Sequence, residues 1–360
     1  MPKIEPAAVA SKTRPYFREL DGVRAIAALM VMVFHFGQDW FYSSFLVLGQ
    51  TGVDLFFVLS GFLITTILLQ SPHGDWHEIK NFYIRRTLRI FPLYYFYLLL
   101  ASLIGGLVSV WYWVYLQNIA AAFLVPLRLA PLYGPDHFWS LGVEEQFYLV
   151  WPFLILFWPR RWLPHAIWAA VALAFVMRVG LIHTQVNTFQ FILTRLDGLA
   201  GGALLAFYYS TGKLHRCRPL LIALGSVGIV SMGVEKLVSH GTGVPWVEVV
   251  KYSSATALYA SIVGLLVTTQ TTPIHRMLGS GPMRAIGRVS YGMYVYHPAI
   301  FFYLPRYLVS IPLLAKAFSC FLTAYVVSLA SYYGFEKRIM ELKERFATEK
   351  PVKPLAAVVS

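Results

Sequence analysis

The sequence predicts an all-α membrane protein of about ten transmembrane helices with both termini in the cytoplasm, and three observations carry that prediction. The first is composition: 58% of the 360 residues are hydrophobic and 13% charged, with a mean hydropathy of +0.60. Soluble domains hold about 45–50% apolar and about 25% charged residues. The second is segment length, since a helix that crosses a bilayer needs about 20 apolar residues. Such stretches fall at 22–41, 46–70, 88–108, 138–158, 165–183, 190–211, 219–236, 250–270, 288–309 and 312–335. The third is charge asymmetry. With the amino terminus inside, the inward segments carry 21 Lys and Arg residues, and the outward ones keep only Arg128, Lys236, Lys251 and Arg306. That is the positive-inside pattern of a multi-pass protein.

Taken in order, Met1–Glu19 is polar and reads as a cytoplasmic segment with no cleavable signal. Residues 20–336 read as one membrane domain, and 337–360 as a cytoplasmic tail that begins with a short helix. Trp111–Leu127 is also apolar but is broken by Gln117, Asn118 and Pro126. As an eleventh span it would turn the later basic loops outward, so an interfacial or re-entrant segment is expected. The net charge of +13 follows from this topology, and no nucleic-acid partner is expected. Cys217 and Cys320 offer no disulfide pattern, and His-x-x-His and Cys-x-x-Cys spacings are absent. A metal site, and with it a zinc hydrolase, is disfavoured.

Ionisable groups inside a membrane are costly and tend to mark sites or pathways. In the first span, LDGVRAIAALMVMVFHF, Arg24 and His35 are eleven positions apart, about three turns plus 20°. They lie on one stripe, about 16 Å apart along the axis, with arginine toward the cytoplasm and histidine toward the outside. The second span places Asp54, Gly61 and Thr65 on one stripe, with Ser60 beside them, and a buried carboxylate there calls for a cationic partner. In the following loop, IKNFYIRRTLRIF, Arg86 and Arg89 share a face at i, i+3 and Arg85 adjoins them. Guanidinium groups hold phosphates in bidentate fashion, although positive-inside anchoring explains such a cluster too.

The stretch PDHFWSLGVEEQFYLVWP opens the fourth span, with Trp139, Ser140 as N-cap, and Glu144 and Glu145 in the first turn. This places Glu144 at the expected depth of His35, where a carboxylate could orient an imidazole. Further on, TRLDGLAGG carries Arg195 and Asp197 with Gly198 and Gly202 at small-xxx-small spacing. GRVSYGMYVYHP places His297 near mid-membrane.

Six of these stretches, in order from Leu20 to about Glu336, resemble the acyltransferase 3 family of integral membrane acyltransferases. That group includes O-antigen acetylases and nodulation-factor and macrolide acyltransferases. The resemblance implies a catalytic role for Arg24 and His35, a donor-binding role for Arg85, Arg86 and Arg89, and a catalytic role for Glu144. Asp54, Ser60, Trp139, Ser140, Arg195, Asp197 and His297 are expected to contact substrate or to be structural. The implied reaction takes an acyl group, most simply acetyl, from cytoplasmic acyl-CoA to a hydroxyl of a carbohydrate or glycolipid acceptor at the bacterial inner membrane. Some members carry an extra soluble esterase-like domain, which is not expected here. The alternative is a transporter or flippase using the same buried charges, although paired repeats with interrupted helices are not seen in the sequence.

Overall fold

The computed structural model describes residues 16–40, 47–123, 135–239, 245–269 and 272–342, and all regular structure among them is helical. Ten helices have fifteen residues or more: α1 (Arg18–Trp40), α2 (Gly52–Leu69), α3 (Trp76–Gly105), α4 (Trp139–Phe157) and α5 (Leu163–Leu181), then α6 (Leu196–Ser210), α7 (Arg218–Ser239), α8 (Pro245–Thr268), α9 (Gly281–Tyr307) and α10 (Leu313–Ser331). By length and composition seven of them are able to cross a membrane, namely α1, α2, α3, α5, α7, α8 and α10. The other three carry polar groups or are short. α6 has fifteen residues, about 22 Å, against a hydrocarbon core of about 30 Å. α4 holds Glu144, Glu145 and Gln146, and α9 holds Arg284, Arg288 and His297.

α2 is the central element, with 72% of its most apolar window buried against 22% for α5 and 17% for α7. Its closest neighbour is α6, and α1 pairs with α9, which also packs on α10. Glycines set the α2–α6 distance. A Cβ on Gly61 would lie 1.9 Å from the Leu199 carbonyl oxygen, and one on Gly202 would lie 2.0 Å from that of Val58. Of the expected small-xxx-small pair, Gly202 makes a backbone-to-backbone approach, whereas an added Cβ on Gly198 would lie 3.0 Å from the Phe57 side chain. Outward faces remain apolar: Leu103 and Leu314 are each 84% exposed, as suits side chains that meet lipid.

α3 departs from expectation at its start. The helix begins at Trp76, capped by Asp75, whose carboxylate accepts from the His77 amide at 2.8 Å. Arg85, Arg86 and Arg89 therefore stand on a continuous 30-residue helix and not in a loop. An N-cap and a run of helix-favouring residues extend it below the apolar segment. Within the 111–127 stretch, Val110–Trp113 and Gln117–Ala122 form two short helices, neither long enough to cross, and residues 124–127 lie outside the described set. Gln117 donates to the Phe138 carbonyl at 2.7 Å, and Asn118 exchanges hydrogen bonds with Gln146. These contacts tie the segment to the head of α4.

Candidate functional site

A partly open cavity lies between α1, α2, α3, α4 and α9, with about 650 Å³ of empty space that is continuous with open solvent. Its polar lining gathers Arg24, Ser60, Arg86, Arg89, Ser140 and Glu144. Three guanidinium groups thus face one carboxylate among Val53, Phe56 and Ile90. Ser60 Oγ donates to Glu144 Oε1 at 2.6 Å. Arg86 lies over the rings of Tyr148 (5.2 Å) and Phe82 (5.8 Å), which fixes its direction. Arg24 Nε is buried with no hydrogen-bond partner among the described residues.

The expected pairing of Arg86 and Arg89 on one face is what places both in the cavity. Arg85, one position away on the helix wheel, turns aside and meets Glu78 at 3.5 Å. A second correction concerns depth. Glu144 does not pair with His35, because α4 enters at the level of His137 and Ser140. Glu144 follows Ser140 by four residues, about 6 Å along the axis, and turns inward opposite Ser60.

His35 is absent from the cavity lining and meets α9 instead, where His35 Nδ1 and His297 Nε2 are 2.9 Å apart. His297 is fully buried, and its Nδ1 lies 3.0 Å from the Met293 carbonyl oxygen. His137 approaches with its ring 5.4 Å from that of His297, and neither of its ring nitrogens has a hydrogen-bond partner among the described residues. Tyr294 separates this cluster from the cavity. It lines the cavity, pairs with Ser140 Oγ at 2.6 Å and donates to the His137 carbonyl at 2.5 Å.

The remaining predicted residues form a second polar network behind Phe57. Asp54 accepts from Arg195 at 2.7 Å, and Asp197 accepts from Arg178 at 2.7 Å. Arg195 is roofed by aromatic rings, 3.8 Å from that of Tyr252 and 5.6 Å from those of Phe57 and Trp139. Asp54, Trp139, Arg195 and Asp197 thus brace α2, α4, α5, α6 and α8 and do not line the cavity. Among the described residues no group of three or more His, Cys, Asp or Glu side chains could hold a metal ion. Sequence reading passed over Tyr148 and Tyr294, although Tyr148 follows Glu144 by four positions and Tyr294 precedes His297 by three, which is same-face spacing on a helix.

Comparison with known proteins finds relatives over most of the chain. The chain is 27% identical over 371 residues to the peptidoglycan O-acetyltransferase OatA of Listeria monocytogenes, covering 91% of this chain and 56% of that protein. It is 26% identical over 346 residues to the O-acetyltransferase OatA of Staphylococcus aureus, covering 88% of this chain and 56% of that one. A putative O-acetyltransferase of Staphylococcus aureus is 27% identical over 332 residues, 83% of this chain and 53% of its own. The chain therefore spans little more than half the length of these relatives. No solved structure gives a significant match. The acyltransferase domain of the acyltransferase 3 family matches residues 17–333, and the chain belongs to that family.

Proposed function

We propose that the protein is a multi-pass O-acyltransferase of the bacterial inner membrane that moves an acyl group from cytoplasmic acyl-CoA to a hydroxyl of a carbohydrate-containing acceptor. The observation that carries this reading is the convergence of Arg24, Arg86 and Arg89 on one cavity with a single carboxylate among its lining residues. Such an excess of guanidinium charge suits a phosphate-rich donor. The topology that goes with it has about ten spans, counting α4, α6 and α9, and both termini inside. That orientation puts the arginines of α3 at the cytoplasmic mouth.

Arg86 and Arg89 would hold the donor phosphates and Arg24 would receive the arm that bears the thioester. His35 lies about 16 Å beyond Arg24 along α1 and would act as base on the acceptor hydroxyl. As the acceptor oxygen bonds to the acyl carbon, its proton passes to the imidazole. The carbon–sulfur bond breaks, and the CoA thiolate leaves and is reprotonated. Glu144, held by Ser60, balances the arginines and positions the arm. The peptidoglycan acetylation in one relative's name supports a glycan acceptor.

Titration of purified full-length protein in lipid nanodiscs with acetyl-CoA tests the reading, followed by transfer to a glycan acceptor. Binding that weakens in Arg86→Ala and Arg89→Ala, with acetyl transfer by the wild type, supports it. Absence of binding, together with movement of a lipid or glycan across vesicles, would establish the transporter reading instead.

A further inference from the structure

The bond between His35 and His297 assigns a proton. A backbone carbonyl only accepts, so His297, in neutral form, must carry its hydrogen on Nδ1 to bond Met293 at 3.0 Å. Its Nε2 is then a lone pair. The atom 2.9 Å away, His35 Nδ1, must be the one that donates. His35 is left with its hydrogen on Nδ1 and a lone pair on Nε2. The assignment follows from the hydrogen-bond network, in which the Val31 backbone carbonyl, one turn before His35, also meets the His35 ring and, like that of Met293, can only accept.

We infer that His297 is a positioning residue that holds His35 in the Nδ1–H tautomer, so that Nε2 is the atom that takes the acceptor's proton. The inference rests on the proposed acyl transfer for its catalytic meaning. The network itself is built from this chain alone. α9 supplies both halves of the device: the Met293 carbonyl one turn below fixes His297, and His297 fixes His35 across the α1–α9 contact. At metal-bound histidines, partners that set the tautomer from behind are worth about 10- to 100-fold in metal affinity or activity, and the same scale is taken here. During turnover the proton of the acceptor hydroxyl arrives at His35 Nε2, and the same atom gives it to the departing thiolate. His297 neither gains nor loses a proton.

Two substitutions separate positioning from packing. In His297→Gln the amide oxygen reaches the place of Nε2 and still accepts from His35. In His297→Phe the ring volume is kept and the acceptor is lost. The expected result is a kcat about 10- to 100-fold lower in the phenylalanine variant, an unchanged KM for the donor, and recovery of most of kcat in the glutamine variant. Equal activity of the two variants, both folded by thermal melting in detergent, would overturn the inference. So would a KM effect alone. Nitrogen-15 shifts of His35 in the wild-type protein read the tautomer without any variant: a hydrogen on Nδ1 is expected, and one on Nε2 refutes the assignment. A wild type with the expected shifts and no acyl transfer would count against the proposed function and leave the tautomer standing.

Discussion

Ser60 on α2 donates its hydroxyl hydrogen to Glu144 on α4 at 2.6 Å, so the central helix meets its neighbour through a carboxylate that faces three arginines across the cavity. Glu144→Gln keeps the size and an accepting oxygen but removes the charge. Turnover is expected to fall about 10- to 100-fold, the scale of one hydrogen bond to a charged group, with the protein still folded. Ser60→Ala removes one charge-assisted hydrogen bond, about 1.5 kcal/mol, and should cost near tenfold. Steady-state transfer assays on both decide the matter, and wild-type rates in either would remove that residue from the site.

The three α3 arginines should separate. Arg86 and Arg89 line the cavity, whereas Arg85 leans on Glu78. Loss of a charged hydrogen bond costs about 1.5–3 kcal/mol, so Arg86→Ala and Arg89→Ala should each weaken donor binding about 10- to 100-fold. Arg85→Ala should change it less than about threefold, on the scale of a partly exposed charge. Calorimetric titration of the three variants with acetyl-CoA gives the ranking, and equal losses would mean that the triplet acts as one cluster.

Asp54 and Arg195 are both buried and paired at 2.7 Å. Removing one partner strands the other, at a cost of about 3–5 kcal/mol. Asp54→Ala should lower the melting temperature in detergent sharply. Asp54→Leu combined with Arg195→Met should recover much of that loss, because no uncompensated charge remains. If the single variant melts like the wild type, the pair does not brace the helices.

The α2–α6 contact predicts a steric penalty. Gly202→Ala would press a methyl group against the Val58 carbonyl oxygen, 2.0 Å away, and backbone on both sides cannot give way. Overpacking typically costs about 1–3 kcal/mol, and here both helices would have to move. Gly180→Ala is the control, since a Cβ there meets nothing within 4 Å. Thermal melts of the two should differ clearly, and identical curves would refute the close approach.

Much of this architecture was legible in the sequence where periodicity alone decides. The i, i+3 spacing of Arg86 and Arg89 put them on one face, and the eleven-residue interval on α1 put Arg24 and His35 on one stripe. Gly202 was marked by its spacing from Gly198. What the sequence left open depends on how far each helix is inserted. Glu144 was expected beside His35 because α4 was counted from its apolar boundary. The chain enters instead through the short 3-10 turn Asp136–Phe138, which spends the outer level on His137. His297 and His35 are 262 positions apart, and no local pattern announces that they touch. Arg85 shows the opposite limit. A motif read as three arginines becomes two on one face and one on another as soon as the 100° step is applied.

The glycine contacts carry one more consequence. Because carbonyl oxygens of α2 and α6 already abut the α-carbons of the facing helix, and Asp54 and Arg195 bolt the same pair, that side of the cavity cannot yield. Widening of the cavity is easier at the walls that lack such contacts. Among those walls, α3 and α9 hold Pro92 and Pro298 in mid-helix and so lack a full ladder of backbone hydrogen bonds there. The more pliable walls of the candidate site are thus the two helices that also carry Arg86, Arg89 and His297.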